Sequence, residues 1–314
     1  MLLWSPRNPA FPEKVIKTKS PSTSIAFSSV TPTVLAVGMD DGNISIFDTS
    51  QSECSAVNIN TASIPGRHMS TVTELIWIEE KLISISIDGR VLQWSIKKGM
   101  CLVTLMTLKR QSITNIESKV PRTAIPLCID FPNGGDSMTY IVGCEDGLLY
   151  LCSRSFTEKH LSRVKGHKGP VTRVKFSPMD KNIVISCSAD SSIKIWKCLS
   201  RQSELKNVLE IKPANLWAPV NDVSWSPINE TTFVMASADG RIQVWNVSKS
   251  LLDPVVNISP RSPSAKDREY TKILFAHCSQ IIVVGNDDGK VEVLELKQAE
   301  TSPVEDLHRC LDNI

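Results

Sequence analysis

Apolar residues recur along this chain in short runs, and six of those runs close on an aromatic side chain. They are Ile25-Ala26-Phe27, Leu75-Ile76-Trp77, Cys128-Ile129-Asp130-Phe131, Val174-Lys175-Phe176, Val223-Ser224-Trp225 and Ile273-Leu274-Phe275. Apolar segments this short, rich in β-branched and aromatic residues, predict strands rather than helices. A second β-rich run follows each and ends at an aspartate: Asp41, Asp88, Asp146, Asp190, Asp239 and Asp288. Gly comes next in five cases and Ser191 in the sixth. Asp-Gly between apolar runs predicts a tight hairpin, because Gly takes a positive φ without steric cost. Six residues after each aspartate stands a large or apolar residue: Phe47, Trp94, Cys152, Trp196, Trp245 and Leu294. The constant offset sets strand register, since a slip of one residue would turn that side chain to the opposite face.

Successive aspartates lie 44 to 58 residues apart. Units a little above 40 residues with four strands each match the blade of a β-propeller. The expected fold is therefore all-β, with six recognisable blade units in residues 1–297 and a partial blade at the N-terminus. Leu3-Trp4-Ser5 is comparable to Gln93-Trp94-Ser95, so the chain is expected to start mid-blade, with Glu13 to Lys17 as the outer strand of that blade. Two closures stay open. Residues around 14–18 could complete the last blade of a six-bladed ring, or a seven-bladed parent could lack two strands of its first blade. A shortened isoform or incomplete gene model is the expectation. Two polar stretches, Lys109 to Thr123 and Asn257 to Glu269, read as exposed insertions. In the tail, 298–314, Ser302-Pro303-Val304-Glu305 fits a capping box, and Val304, Leu307 and Leu311 fall on one face of a short helix.

The fourth unit carries Gly166-His167, then Ser186, Asp190 and Trp196. This resembles the WD-repeat family, in which Asp, His, Ser and Trp hydrogen-bond in a buried chain. Indole only donates and hydroxyl both donates and accepts, so four such groups can satisfy one another. The second unit repeats the set with His68, Ser84, Asp88 and Trp94. The fifth keeps Asp239 and Trp245 but has Met235 in the serine position, so its tetrad cannot be complete. A hydrolase triad is the competing reading of His, Asp and Ser. It fails because the set recurs once per blade, whereas a triad is a single constellation.

Composition narrows the function classes. A net charge of +2 gives no global case for nucleic acid or an anionic membrane. No apolar run reaches the roughly 18 residues that span a bilayer, and no secretory signal opens the chain. Nine dispersed cysteines, with no CxxC pair, predict free thiols in a reducing compartment. No phosphate-cradling loop, nucleophile elbow or metal-ligand spacing occurs, so the expectation is no catalytic residue, no cofactor and no metal. One stretch stands out: Arg154, Lys159, Arg163, Lys165, Lys168, Arg173 and Lys175 are set against Glu158 alone. It could steer an acidic partner, or be a solvated outer strand and its loop.

Particular stretches resemble the axonemal dynein intermediate chains. Leu3-Trp4-Ser5-Pro6-Arg7-Asn8-Pro9 with Pro12-Glu13 looks like their "W-S-x-x-N-P…P-E" lead into the propeller. Leu35-Ala36-Val37-Gly38 with Asp41-Gly42 resembles their next unit. The similarity continues through Ile85-Ser86-Ile87-Asp88-Gly89-Arg90, Lys98-Gly99, Leu105 to Arg110, Gly166-His167-Lys168-Gly169-Pro170-Val171, Ser186-Cys187-Ser188-Ala189-Asp190 and Leu252-Asp253-Pro254. The resemblance implies a non-catalytic scaffold of an inner-arm axonemal dynein, in the cytoplasm and the axoneme of cilia or flagella. The implied partners are a dynein heavy chain and a second intermediate chain, with light chains held by an upstream extension not seen in this sequence. Neither nucleic acid nor membrane is an expected partner. The alternative is a generic WD-repeat adaptor, such as a substrate receptor of a ubiquitin ligase.

Overall fold

A computed structural model of the chain describes residues 1–50, 59–96, 100–109, 123–133, 138–199, 204–213, 218–259, 269–276 and 279–296. All regular structure in these residues is β. The chain divides into two compact units: Met1–Leu127 with Arg154–Lys159, and Cys128–Ser153 with His160–Ile314.

The first unit opens with β1 (Leu2–Leu3) and β2 (Lys14–Val15), paired antiparallel with Leu2 opposite Val15. The first four-stranded sheet runs β3 (Ser22–Phe27), β4 (Val34–Met39), β5 (Ile44–Asp48) and β6 (Ile59–Asn60). The second runs β7 (Val72–Ile78), β8 (Lys81–Ser86), β9 (Arg90–Ser95) and β10 (Cys101–Thr107). Between the two sheets Ala36, Ile44 and Ile46 pack with Val72, Leu75, Leu82, Leu92 and Trp94 in one buried cluster.

The third sheet, which begins at the boundary of the units, runs β11 (Pro126–Asp130), β12 (Thr139–Cys144), β13 (Leu148–Ser153) and β14 (Ser162–Lys165). The fourth has β15 (Val171–Phe176), β16 (Ile183–Ser188), β17 (Ile193–Leu199) and β18 (Glu204–Ile211). The fifth has β19 (Val220–Trp225), β20 (Thr232–Ser237), β21 (Ile242–Asn246) and β22 (Val256–Ile258). The sixth has three strands among the described residues: β23 (Tyr270–Phe275), β24 (Ile281–Asn286) and β25 (Val291–Glu295). Each is an antiparallel meander in chain order, the form of a propeller blade.

The turn between the second and third strands bears out the hairpin expectation. Gly42, Gly89, Gly147, Gly240 and Gly289 have φ between 75° and 82°, and Ser191 has φ 63°. A Cβ on Gly147 would stand 2.2 Å from the His167 carbonyl oxygen, so glycine is required there by contact as well as by φ. The aspartates organise the same turn: the carboxylates of Asp41, Asp88, Asp146 and Asp190 accept the backbone N–H two residues on. An Asx turn of this kind mimics a backbone turn and fixes the hairpin.

A second repeated contact ties neighbouring sheets. The second residue of an inner strand donates to the first carbonyl of the next inner strand: Thr23 to Val72 (2.6 Å), Thr73 to Pro126 (3.1 Å), Thr172 to Val220 (2.6 Å) and Asn221 to Tyr270 (2.8 Å).

Three expectations change. Lys14–Val15 pairs with β1, as the mid-blade reading has it, and among the described residues does not join the sixth sheet, so the reading of 14–18 as that sheet's outer strand is set aside. Trp4, compared above with buried Trp94, is half-exposed, because its sheet has only two strands to shelter it. The stretch from Asn257 does not begin as a loop. Asn257 and Ile258 belong to β22, opposite Gln243 and Ile242, since Val256-Asn257-Ile258 presents a pairing edge to β21. The Lys109 to Thr123 stretch is closed by a bridge between its two end residues. Residues 110–122, 260–268 and the proposed tail helix at 302–311 lie outside the described residues.

Candidate functional site

In the second sheet, Trp94 Nε1–H donates to Ser84 Oγ at 2.8 Å. The Ser84 hydroxyl meets His68 Nε2 at 2.7 Å, and His68 Nδ1 meets Asp88 Oδ2 at 3.1 Å. Trp94, Ser84 and His68 are wholly buried. With the proton on Nδ1, every donor in the chain has an acceptor and none is left over. Asp88 is held from outside the tetrad as well: Arg90 reaches its Oδ2 through Nε at 3.1 Å and Nη2 at 2.7 Å. Burial alone would raise the Asp88 carboxyl, but the His68 and Arg90 contacts outweigh it and hold the pKa at about 2.

The fourth sheet builds the same chain with one more link. Trp196 Nε1–H donates to Ser186 Oγ (2.8 Å), which meets His167 Nε2 (2.7 Å). His167 Nδ1 lies 3.4 Å from Asp190 Oδ1 and 3.0 Å from Ser192 Oγ, whose hydroxyl in turn donates to Asp190 Oδ1 at 2.6 Å. Burial pushes Asp190 up, and bonds from Ser192, the Lys168 amide and His167 bring it down to about 2. Burial lowers the His167 pKa, against the pull of Asp190. Both serine hydroxyls are buried and already receive an indole N–H. A nucleophile needs an approach path for its substrate, and neither buried hydroxyl has one.

In the fifth sheet, where Met235 stands for serine, Trp245 Nε1–H donates to Gln243 Oε1 at 3.2 Å. Gln243 is two residues earlier on the same strand and directly opposite Met235. Spacing within the repeat did not reveal Gln243, Ser192 or Arg90. The usable signal was a polar residue inside an otherwise apolar third strand, or two positions after the repeat aspartate.

The basic stretch is broken up by the fold. Arg154 and Lys159 belong to the first unit and the other five to the second. Arg154 donates to Gln93 Oε1 at 3.3 Å. Arg173 Nε lies 3.0 Å from buried Asp222, and Lys175 Nζ 2.9 Å from Asp130. That leaves Lys159, Arg163, Lys165 and Lys168 exposed, with Arg163 and Lys165 on β14. Among the described residues no cysteine is in a disulfide: Cys128, Cys144, Cys152 and Cys187 are buried, Cys198 is half-buried and Cys101 is exposed. Burial raises Cys152 and Cys187 to about 12, which keeps them as unreactive thiols. No group of three or more His, Cys, Asp or Glu side chains suited to a metal occurs among the described residues.

Repeated four-stranded meanders, Asp turns and buried Trp–Ser–His–Asp chains define the class: this is a WD-repeat β-propeller protein. A family model described as "WD domain, G-beta repeat" matches residues 158–197 and 212–246. The chain is 34% identical to dynein axonemal intermediate chain 4 of Mus musculus, over 95% of this chain and 38% of the relative. It is 34% identical to that of Homo sapiens over 95% and 36%, and 29% identical to "Dynein intermediate chain 2, ciliary" of Heliocidaris crassispina over 62% and 29%. By this similarity the chain belongs to the axonemal dynein intermediate chain family, and it spans well under half the length of these relatives. Among solved structures, the Cps50 (Swd1) β-propeller domain of Myceliophteria thermophila matches 88% of this chain and 84% of its own, with TM-score 0.69 and 11% identity. The computationally designed Ika8 protein matches 89% and 72%, with TM-score 0.61 and 22% identity. At these identities the structures bear on the fold alone.

Proposed function

We propose that this chain is a non-catalytic scaffold subunit of an axonemal dynein complex. In this reading it binds a dynein heavy chain and supports inner-arm assembly and ciliary motility. The observation that carries the reading is similarity over 95% of the chain to dynein axonemal intermediate chain 4. The site chemistry is in keeping: the His, Ser and Asp side chains that might suggest hydrolysis are spent on one another inside the sheets. A rigid array of paired strands with variable loops suits holding partners in place. Within the second unit, exposed Arg163, Lys165 and Lys168 are the side chains proposed to meet an acidic surface on a partner. The further partners are a second intermediate chain and, through segments outside residues 1–314, light chains. The proposed location is the cytoplasm and the axoneme.

Affinity purification of the tagged chain from ciliated cells, with mass spectrometry, tests this. A dynein heavy chain should be recovered in near-stoichiometric amount. Recovery of cullin-adaptor components without any dynein subunit would replace this reading with that of a ubiquitin-ligase substrate receptor.

A further inference from the structure

The outer hairpin of the third sheet carries a buried hydroxyl that lacks an acceptor. Tyr150 on β13 stands directly opposite Arg163 on β14, and Leu148 stands opposite Lys165. Residues opposite one another in an antiparallel pair share a face, so Tyr150, Arg163 and Lys165 lie on one side of the hairpin. Leu149 and Val164, between them, pack on the other side in the core shared with the fourth sheet. Tyr150 is fully buried, and its ring makes a T-shaped contact with the His160 ring, centroids 5.2 Å apart. Arg163 and Lys165 are exposed, and among the described residues neither has an ion-pair partner.

The chemistry around this hydroxyl is one-sided. Burial keeps Tyr150 protonated, with a pKa of about 12, although Arg163 beside it pulls the other way. The O–H is therefore a donor, and no hydrogen-bond partner for it stands among the described residues. Arg163 can only donate, and His160 touches the ring without bonding the hydroxyl. The Asp146 carboxylate acts on Tyr150 through its charge alone and is committed to the Leu148 amide. Buried polar groups are as a rule paired. A donor without an acceptor, beside a guanidinium and a lysine, fits an incoming carboxylate. Arg163 can hold such a group through two N–H bonds, and the Tyr150 O–H supplies a third.

We propose that Tyr150, Arg163 and Lys165 form a binding site for the carboxylates of an extended acidic segment of a partner. One carboxylate sits on Arg163 and Tyr150, and the next, two residues along the segment, meets Lys165. Alternate residues of an extended chain are about 6.5–7 Å apart, which is also the spacing at which a strand such as β14 presents Arg163 and Lys165. Among the described residues β14 is the outer strand of its sheet, so such a segment can lie along it. The site deepens the acidic-partner reading given above and rests on it. What it adds is Tyr150, which tells a bound carboxylate from a general attraction between charges.

A short fluorescein-labelled peptide of alternating glutamate and threonine is the probe, titrated into the 314-residue protein at low salt and followed by anisotropy. It should bind saturably, and its counterpart with glutamine for glutamate should not. Tyr150→Phe keeps the ring in place, so the melting temperature should hold. Binding should nevertheless weaken about tenfold, the worth of a hydrogen bond to a charged group. Lys165→Gln should weaken it about threefold, as an exposed ion pair does, and Arg163→Glu should abolish it. No binding to the wild-type protein, equal binding of the glutamine peptide, or equal binding to the Tyr150→Phe variant overturns the proposal. Tighter binding of a phosphoserine peptide, lost with Tyr150→Phe, overturns the carboxylate assignment in favour of phosphate. The titration needs no dynein subunit, so its failure is distinct from a failure to recover a heavy chain in the affinity purification.

Discussion

The fourth and fifth sheets share an aspartate, a tryptophan and nearly every core position, yet they satisfy the tryptophan differently. In the fourth, the indole N–H meets Ser186 on the neighbouring strand; in the fifth, Met235 is apolar and Gln243 on the indole's own strand accepts instead. The first, third and sixth sheets take a third course. Val37 with Phe47 and Val284 with Leu294 remove donor and acceptor together, and in the third sheet Val142 stands for the serine while the Cys152 thiol bonds Tyr140. What the repeat preserves is therefore a balance of donors and acceptors. A buried N–H left without a partner costs about 1–3 kcal/mol, whereas an apolar pair in its place costs little.

The largest effect should come from removing the middle of the fourth chain. His167→Ala strands Ser186 and Asp190 and leaves a cavity, so chemical denaturation should show a loss of about 3–4 kcal/mol. A loss below about 1 kcal/mol would mean the chain is not a coupled network. Next is Gln243→Leu in the fifth sheet, expected to cost about 2 kcal/mol by orphaning Trp245. Adding Met235→Ser to that variant imports the fourth-sheet solution and should recover about half of the loss. No recovery would show that the two solutions are not interchangeable.

Acid separates the tetrads from the rest of the core. Asp88 and Asp190 have folded pKa values of about 2, below the ordinary 3.8. A carboxyl depressed on folding stabilises above its unfolded pKa and loses that contribution as pH falls through the folded one. Each should lose roughly 2 kcal/mol between about pH 4 and pH 2. His167, whose pKa burial lowers, works in the same direction from higher pH: unfolded chains take up its proton first, so its contribution declines below about pH 6.5. Denaturation midpoints against pH should flatten in an Asp88→Asn, Asp190→Asn double variant.

Much of this architecture was legible in the order of residues because it is local. A six-residue offset from Asp88 to Trp94, or from Asp190 to Trp196, spans one hairpin, and a hairpin's register follows from its turn. The pairing of Lys14–Val15 with β1 was legible only as one of two placements that the blade pattern left open. The fate of the basic stretch was not. Arg173 and Lys175 meet Asp222 and Asp130, 49 and 45 residues away, through packing between sheets that no spacing within one repeat encodes. Gln243 escaped notice for a different reason: its partner is chosen by what Met235 fails to supply on the opposite strand. Asn257 read as a loop because its neighbours further on are Ser and Pro, while β21 offers it a pairing edge.

The smallest predicted effect concerns the turn, where the fourth and fifth sheets differ again. Gly240 sits at φ 75°, and its counterpart Ser191 holds φ 63° with a Cβ. A non-glycine residue in this region costs about 1–2 kcal/mol. Ser191 offsets part of that by donating its hydroxyl to the Ala218 carbonyl at 2.8 Å. Ser191→Ala keeps the strain and discards the bond, so it should destabilise by about 1 kcal/mol. Ser191→Gly discards both, and its more flexible unfolded chain takes back part of the gain. It should therefore lie close to the wild type and about 1 kcal/mol above the alanine variant. If alanine proved the more stable of the two, the hydroxyl bond and the backbone strain assigned to Ser191 would both be wrong, and the turn's tolerance of serine would need a different cause.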